Sequence, residues 1–204
     1  MVRVAVLDAN VLWPQYLRDA LLSAAAFDLY RGHWTESILR EMRDSRVSKG
    51  NMSAERADST LTVMRETFPH FMITGYEPLI PLMTNDEKDR HVLAAAVHAG
   101  ADTIVTFNTR DFSPASRAPY CIGVDTPDEF LTDLWIGNTS RMARALVQMA
   151  NRLKKPPYTV QQLIGDRLRK PAPTFARLAL ASGDLERAVR DEHDGVPIPP
   201  FRIL

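Results

Sequence analysis

The sequence lacks most of what would place it in several large protein classes. It has one cysteine, Cys121, in 204 residues, which excludes an internal disulfide and a thiolate zinc cluster and fits a reducing compartment. No segment approaches the roughly 20 consecutive apolar residues of a membrane span. The opening MVRVAVLD has an early arginine but no long apolar run and no cleavage-type ending, so a cytoplasmic protein is expected. The five histidines form no zinc spacing: His91 and His98 can share a helix face, but no third ligand stands near them. Internal repeats and low-complexity tracts are absent. An apolar content of 45% and a charged content of 25% are those of an ordinary folded chain rather than a disordered one.

Net charge is also missing, at +0, but its distribution is uneven. Residues 1–136 carry 19 Asp and Glu against 13 Lys and Arg, whereas residues 137–182 carry 9 Lys and Arg against Asp166 alone. A carboxylate-lined metal site repels a polyanion, and a basic surface offsets that repulsion. The competing explanation for the basic run is a solvated helical face.

What is present reads as an α/β domain followed by helices. Residues 2–7 form a short apolar, β-branched run, as in a buried parallel strand, with Asp8 at its carboxyl end. Helical spacing predicts helices over residues 17–30, with Gly32 as a stop, then over 35–46 with Thr35 as cap, and over 53–68 before Pro69, with no strand among them. A brief apolar run spans 71–74. Thr84-Asn85-Asp86-Glu87 has the form of a capping box opening a helix that runs to about His98. Strands are expected at 103–107 and 120–124, completing a parallel sheet with helices on both faces, a three-layer arrangement. Thr126-Pro127-Asp128-Glu129 is a second capping box. The expected organisation is therefore an α/β domain over residues 1–125 and an all-helical region over 126–204. Helices are expected at 127–136, 139–154, 159–169 and 173–182, and the end from Gly183 reads as polar and then proline-broken.

In open parallel sheets ligands bind beyond the carboxyl ends of the strands, which makes Asp8 a candidate, with Asn10 able to hydrogen-bond a neighbouring carboxylate or the turn. An Asp in that position can equally cap the next helix. Asp89, and Asp86 nearly one turn before it, stand at the start of the helix built on Val92, Leu93, Ala96 and Val97, where a helix dipole alone would favour acids. Asp111 follows the strand at 103–107, and Glu41 lies beside the apolar Ile38 and Met42. Carboxylates without histidine or cysteine suit Mg²⁺, a hard ion that keeps several waters. Trp13 and Trp34 read as core or partner-contact residues rather than base-stacking platforms.

Four stretches taken together resemble the successive motifs of PIN-domain ribonucleases, especially VapC-type toxins: Val-Leu-Asp-Ala-Asn-Val-Leu at 6–12, Trp-Thr-Glu-Ser-Ile-Leu-Arg-Glu at 34–41, Asp-Arg-His-Val-Leu-Ala-Ala-Ala at 89–96, and Gly-Ala-Asp-Thr-Ile-Val-Thr-Phe-Asn-Thr-Arg-Asp-Phe at 100–112. The resemblance covers about residues 1–125. It implies that Asp8, Glu41 and Asp89 are catalytic metal ligands, with Asp111 or Asn108 as the fourth. Many family members have Asp where Asn108 stands, so Asn108 can instead hold a water or a phosphate oxygen, and Asp86 a place behind the ligands. The resemblance further implies Mg²⁺- or Mn²⁺-dependent cleavage of single-stranded or looped RNA that leaves a 5′-phosphate, and a cognate antitoxin that covers the acidic site. Arg110, Arg90 and Lys88 are then candidates for the scissile phosphate, and Arg141, Arg144, Arg152, Lys154 and Lys155 for the flanking RNA backbone. A homodimer is left open. Two other readings compete. A haloacid-dehalogenase-type phosphatase needs a second Asp where Asn10 stands. A non-catalytic RNA-binding or assembly module is disfavoured by the retained acidic set.

Overall fold

The computed structural model describes residues 2–50 and 52–193. In chain order its main elements are β1 (Val4–Leu7), α1 (Ala9–Leu12), α2 (Gln15–Ala26), β2 (Arg31–Thr35), α3 (Glu36–Ser48), α4 (Ala54–Thr67), β3 (Met72–Ile73), α5 (Arg90–His98), β4 (Thr103–Val105), α6 (Pro114–Arg117), β5 (Gly123–Asp125), α7 (Pro127–Gly137), α8 (Thr139–Arg152), α9 (Val160–Gln162), α10 (Pro173–Ala181) and α11 (Asp184–His193). A π-helical turn, Leu163–Leu168, continues α9. The described chain divides into two compact units. One is built from the residues up to Pro14 together with Arg31–Thr126, the other from Gln15–Tyr30 together with the chain from Pro127 onward.

The first unit is a five-stranded parallel sheet in the order β3-β2-β1-β4-β5. Its centre is β1, whose Ala5, Val6 and Leu7 are fully buried, as the continuous apolar run predicts. Ala5 faces Gly32 of β2 on one side and Thr103 of β4 on the other. The second strand corrects the expectation of consecutive helices. Arg-Gly-His-Trp-Thr has only one large apolar residue, so its own pattern is weak, and pairing with β1 and β3 decides its conformation. Gly32 is thus no helix stop but a point of close approach: a Cβ there would lie 2.6 Å from Phe71 Cε2. Phe71 belongs to an aromatic cluster with Trp34 and Phe68, its ring centroid 5.0 and 4.7 Å from theirs. Trp34 is fully buried.

The second unit is all helical. Apolar side chains of α2 pack on α8, α8 packs on α11, and α7 on α10. Tyr30 meets Phe130 edge-on at 4.8 Å, and Phe130, Leu146, Ala176 and Phe175 are fully buried. Two expectations change here. The first long helix ends at Ala26 and belongs to this unit rather than the sheet unit. The stretch after Gly183 forms α11, because Leu185 and Ala188 are buried on one face of an otherwise charged helix. The proline-broken end lies outside the described residues. Among the described residues no helix is long and apolar enough to cross a membrane.

Replacing Gly32 by Ala forces a methyl into the Phe71 ring. Removing the glycine's conformational freedom returns about 0.5–1 kcal/mol in a strand, less than the roughly 1–3 kcal/mol of overpacking. Gly32→Ala is expected to lower the urea midpoint, and an unchanged or higher midpoint would mean that the aromatic cluster gives way freely.

Candidate functional site

The order of the strands reverses direction at β1. β2 and β3 extend the sheet on one side and β4 and β5 on the other, so the crevice beyond the carboxyl ends of β1 and β4 is where an open parallel sheet binds ligands. Asp8 is the first residue after β1, and Thr106 the first after β4. The Asp8 amide donates to the Val105 carbonyl at 3.1 Å. The Thr106 hydroxyl donates to Asp8 Oδ2 at 2.6 Å, and the Asn10 amide donates to the same oxygen at 2.6 Å and to Thr106 Oγ1 at 2.8 Å. Asn10 Oδ1 accepts from the Phe107 amide at 3.0 Å, and Thr106 Oγ1 from the Asn108 amide at 3.0 Å. Asp8 stands at the N-cap of α1, but its side chain makes no capping bond of the usual kind. Only 3% of Asp8 is exposed. Burial pushes its carboxyl above the usual aspartate range, with the Thr106 hydroxyl and the Ala9 amide pulling part of the way back.

The turn after β4 carries the next acid. Asp111 closes it through its amide to the Asn108 carbonyl at 3.0 Å, and the Asp111 carbonyl accepts from the Asp86 amide at 3.2 Å. The Asp86 carbonyl then accepts from the Asp89 amide at 3.0 Å. The expected helix from Thr84 is shifted: Asp86 Oδ1 caps a single 3₁₀ turn through the Lys88 amide at 3.1 Å, and α5 begins at Arg90. Asp89 occupies the N-cap of α5 without a side-chain capping bond. Its carboxyl is pushed up to about 6 by burial and by the charges of Asp8, Asp111 and Asp86.

Glu41 reaches the site from α3. That helix starts at Thr35, whose hydroxyl accepts from the Ile38 amide at 3.2 Å, and it buries Ile38, Leu39 and Met42. Glu41 does not lean into the core; it is half exposed and pairs with His91 Nε2 at 2.9 Å. Burial works against the imidazolium, but the Glu41 hydrogen bond and the charges of Glu41, Asp8 and Asp89 outweigh it and raise His91. Sequence reasoning weighs His91 only as a zinc ligand and misses this role. Its position two residues after Asp89 is the available signal.

Asp8, Asn10, Glu41, Asp86, Asp89, Asn108 and Asp111 all line one cavity of about 800 Å³, with Trp13, Ser45, Lys49, Lys88 and Phe107. Two candidates adjacent in sequence do not line it: Arg110 is exposed, and the Arg90 guanidinium donates to the Asn85 carbonyl at 3.4 Å. Arg141, Arg144, Arg152, Lys154 and Lys155 belong to the second unit. There Arg141, Lys154 and Lys155 are exposed, whereas Arg152 is half-buried against Gln148 and burial lowers its guanidinium. A free phosphate contact is a poor description of Arg152.

Five carboxylates, with no thiolate among them, form a donor set suited to a hard divalent cation, and their mutual repulsion is what such a charge would relieve. Their side chains are not drawn into a ligand shell as they stand. Among the described residues no three His, Cys, Asp or Glu are arranged to hold a metal ion. Glu41 is turned to His91, and one Asp8 oxygen to Thr106 and Asn10.

A parallel sheet with acids gathered beyond β1 and β4 defines a class, and comparison with known proteins gives it a name. The PIN domain family model matches residues 4–110, slightly over half of the chain, and the chain belongs to the PIN-domain family. Residues 127–181 match the model of the VapC50 C-terminal domain. A Mycobacterium tuberculosis protein named "Putative ribonuclease VapC50" is 39% identical to this chain over 105 residues, 52% of this chain and 62% of that protein. The chain therefore spans about three fifths of that relative's length. No solved structure matches it.

The raised Asp89 carboxyl makes folding depend on pH. An unfolded aspartate titrates near ~3.9, so between about pH 4 and the folded value the folded protein holds a proton that the unfolded chain has lost. Stability then falls as pH rises through that window, and the penalty is complete above it. Without divalent metal, Asp89→Asn is expected to raise the thermal midpoint at neutral pH and to leave it near wild type below about pH 4. A variant no more stable than wild type at neutral pH would show that the carboxylates do not strain the fold.

Proposed function

We propose that the chain is a metal-dependent endoribonuclease and the toxin of a toxin–antitoxin pair, acting on RNA in the cytoplasm. One observation carries the reading: Asp8, Glu41, Asp89 and Asp111, from four separate segments, line a single cavity at the sheet's switch point. The likeness to a relative named as a ribonuclease supports it. Asp8, Glu41, Asp89 and Asp111 would hold Mg²⁺ or Mn²⁺, with Asp86 behind them. When bound, such an ion supplies an acidified water and neutralises phosphate charge.

The chain's own residues set the conditions for that chemistry. Thr106 and Asn10 fix one oxygen of Asp8, so the carboxylate is pre-positioned and loses little freedom on binding. Asp89, which makes no capping bond, holds a proton more readily than an ordinary carboxyl, and binding a cation at neutral pH draws on the deprotonated form. His91 keeps Glu41 at the cavity edge until a stronger charge competes for it. Asn108, exposed on the cavity rim, offers an amide to a water or a phosphate oxygen. Asn10 also bears on the phosphatase alternative. Its amide is engaged by Asp8 and Thr106 and its carbonyl by Phe107, leaving no acid at that position to protonate a leaving group.

Cleavage of single-stranded RNA in Mg²⁺ or Mn²⁺, leaving 5′-phosphates, is expected to stop on adding chelator. Asp8→Asn and Asp89→Asn are expected to lower it by about 100-fold or more, beyond the 10–100-fold of residues behind a metal's ligands. Hydrolysis of phosphate monoesters instead would favour the phosphatase, and metal-independent RNA binding without cleavage the non-catalytic module. The toxin reading has its own check. Expressed without an antitoxin, the wild type should arrest growth and Asp89→Asn should not; equal growth would remove the toxin assignment and leave the nuclease.

A further inference from the structure

The cavity has a second wall that the metal chemistry does not use. Opposite in character to the carboxylates are Trp13 and Pro14 after α1, with Ser45 and Lys49 from the last turn of α3 and the residue beyond it. Trp13, expected from the sequence to be a core or partner-contact residue, differs from the other two tryptophans. Trp34 is fully buried and Trp135 is 5% exposed, whereas Trp13 is partly exposed and lines the cavity. Its indole N–H is buried and has no hydrogen-bond partner among the described residues. The ring therefore offers the cavity carbon surface rather than a polar edge. The Lys49 ammonium lies 5.3 Å from the ring centroid and the Arg46 guanidinium 5.9 Å. Arg46 also donates to the Trp13 carbonyl at 2.8 Å, tying the backbone of this residue to α3.

From these placements we infer that Trp13 and Lys49 form a nucleotide subsite beside the carboxylates. In it a base of single-stranded RNA stacks on the Trp13 ring while Lys49 takes the phosphate of the same nucleotide. The inference rests on the ribonuclease reading and deepens it. A flat aromatic face accepts any base, because every base has a π-face. An exposed ammonium on a flexible stem leaves that face at little cost when a phosphate is offered. The acids make the cavity hostile to polyanions, and a divalent ion answers that only near the scissile phosphate. A neighbouring nucleotide needs its own cation and its own apolar contact, and this wall supplies both. The subsite is a positioning element for substrate, and its loss acts on KM rather than on kcat.

The test uses the full chain with Mg²⁺ or Mn²⁺ and a short single-stranded RNA cleaved at one position, with an abasic nucleotide walked along it. The wild type is expected to show a rise in KM of about ten-fold when one particular nucleotide near the cut loses its base, the loss of one stacking contact, with kcat nearly unchanged. Trp13→Ala should show the same rise on intact RNA and no further effect of the abasic position, and Trp13→Phe should restore the discrimination. Wild-type tryptophan fluorescence should be quenched by the intact RNA, and this quenching should vanish in Trp13→Phe. Lys49→Gln should reduce the salt dependence of binding by about one phosphate contact. Wild-type cleavage indifferent to every abasic position, or Trp13→Ala with unchanged KM and fold, would overturn the subsite while leaving the nuclease standing. No cleavage by wild type with either metal would remove the nuclease reading and the subsite with it.

Discussion

The site depends on one hydrogen bond between the ends of two neighbouring strands, from the Thr106 hydroxyl to Asp8 at 2.6 Å. A carboxylate with 3% exposure is costly without partners, and Thr106 with Asn10 supplies them. From this point a chain of bonds runs outward. Asn10 holds the Phe107 amide, Thr106 holds the Asn108 amide, Asn108 closes the turn on Asp111, Asp111 holds Asp86, and Asp86 holds Asp89. Asp8, Asp86, Asp89 and Asp111 are placed by backbone or hydroxyl contacts rather than by contacts between their carboxylates, and Glu41 by its pairing with His91. That is the stable way to bring like charges together, since the carboxylates themselves push apart.

The tension shows in Asp89, whose carboxyl is raised first by burial and then by three neighbouring aspartates. On the other flank of the cavity, β2 positions Glu41. This strand sits between β1 and β3, anchors Trp34 in the cluster with Phe68 and Phe71, and hands the chain to Thr35, which caps α3 and so sets the position of Glu41. A close-packed strand on one flank and a hydrogen-bonded turn on the other thus fix the two sides of the cavity independently. Lost packing at Gly32 and lost hydrogen bonding at Thr106 would act on different acids.

How much of this was legible in the sequence differs by element. β1 and β4 stand out because they are buried on both faces and read as continuous apolar runs, and the acid after each is then easy to single out. β2 could not be read this way. Its conformation comes from pairing with strands far along the chain, and its glycine and terminal threonine imitate helix punctuation. The helix after Gly183 was hidden by the opposite effect, two buried residues diluted by charge. In the site, Asp8, Asp89 and Asp111 were visible as residues after strands or at a helix start and Glu41 through the family resemblance, but their partners were not. Nothing in the order of the sequence says that Thr106 would meet Asp8 across 98 positions, or that Glu41 would meet His91. The resemblance to a family supplied the gathering of the acids, and geometry supplied what holds them.

The same distinction bears on the cavity's two walls. On the acidic wall Asp8 is held through its carboxylate, and Asp86, Asp89 and Asp111 are placed through their backbones. The Trp13 backbone is held by its amide on the Ala9 carbonyl and by Arg46 on its own carbonyl, but its indole makes no hydrogen bond, and Lys49 is exposed on a long stem. Metal chemistry needs ligands held to a fraction of an ångström, whereas stacking and ion pairing with a flexible polyanion tolerate adjustment. Backbone-placed acids beside an adaptable aromatic and ammonium pair are therefore the arrangement expected where the reaction at a phosphate is fixed and the nucleotide beside it varies. The polar bonds are distributed accordingly along the chain: Asp8 and Asn10, shortly before Trp13, are bound on several sides, and the indole that follows them is held by packing.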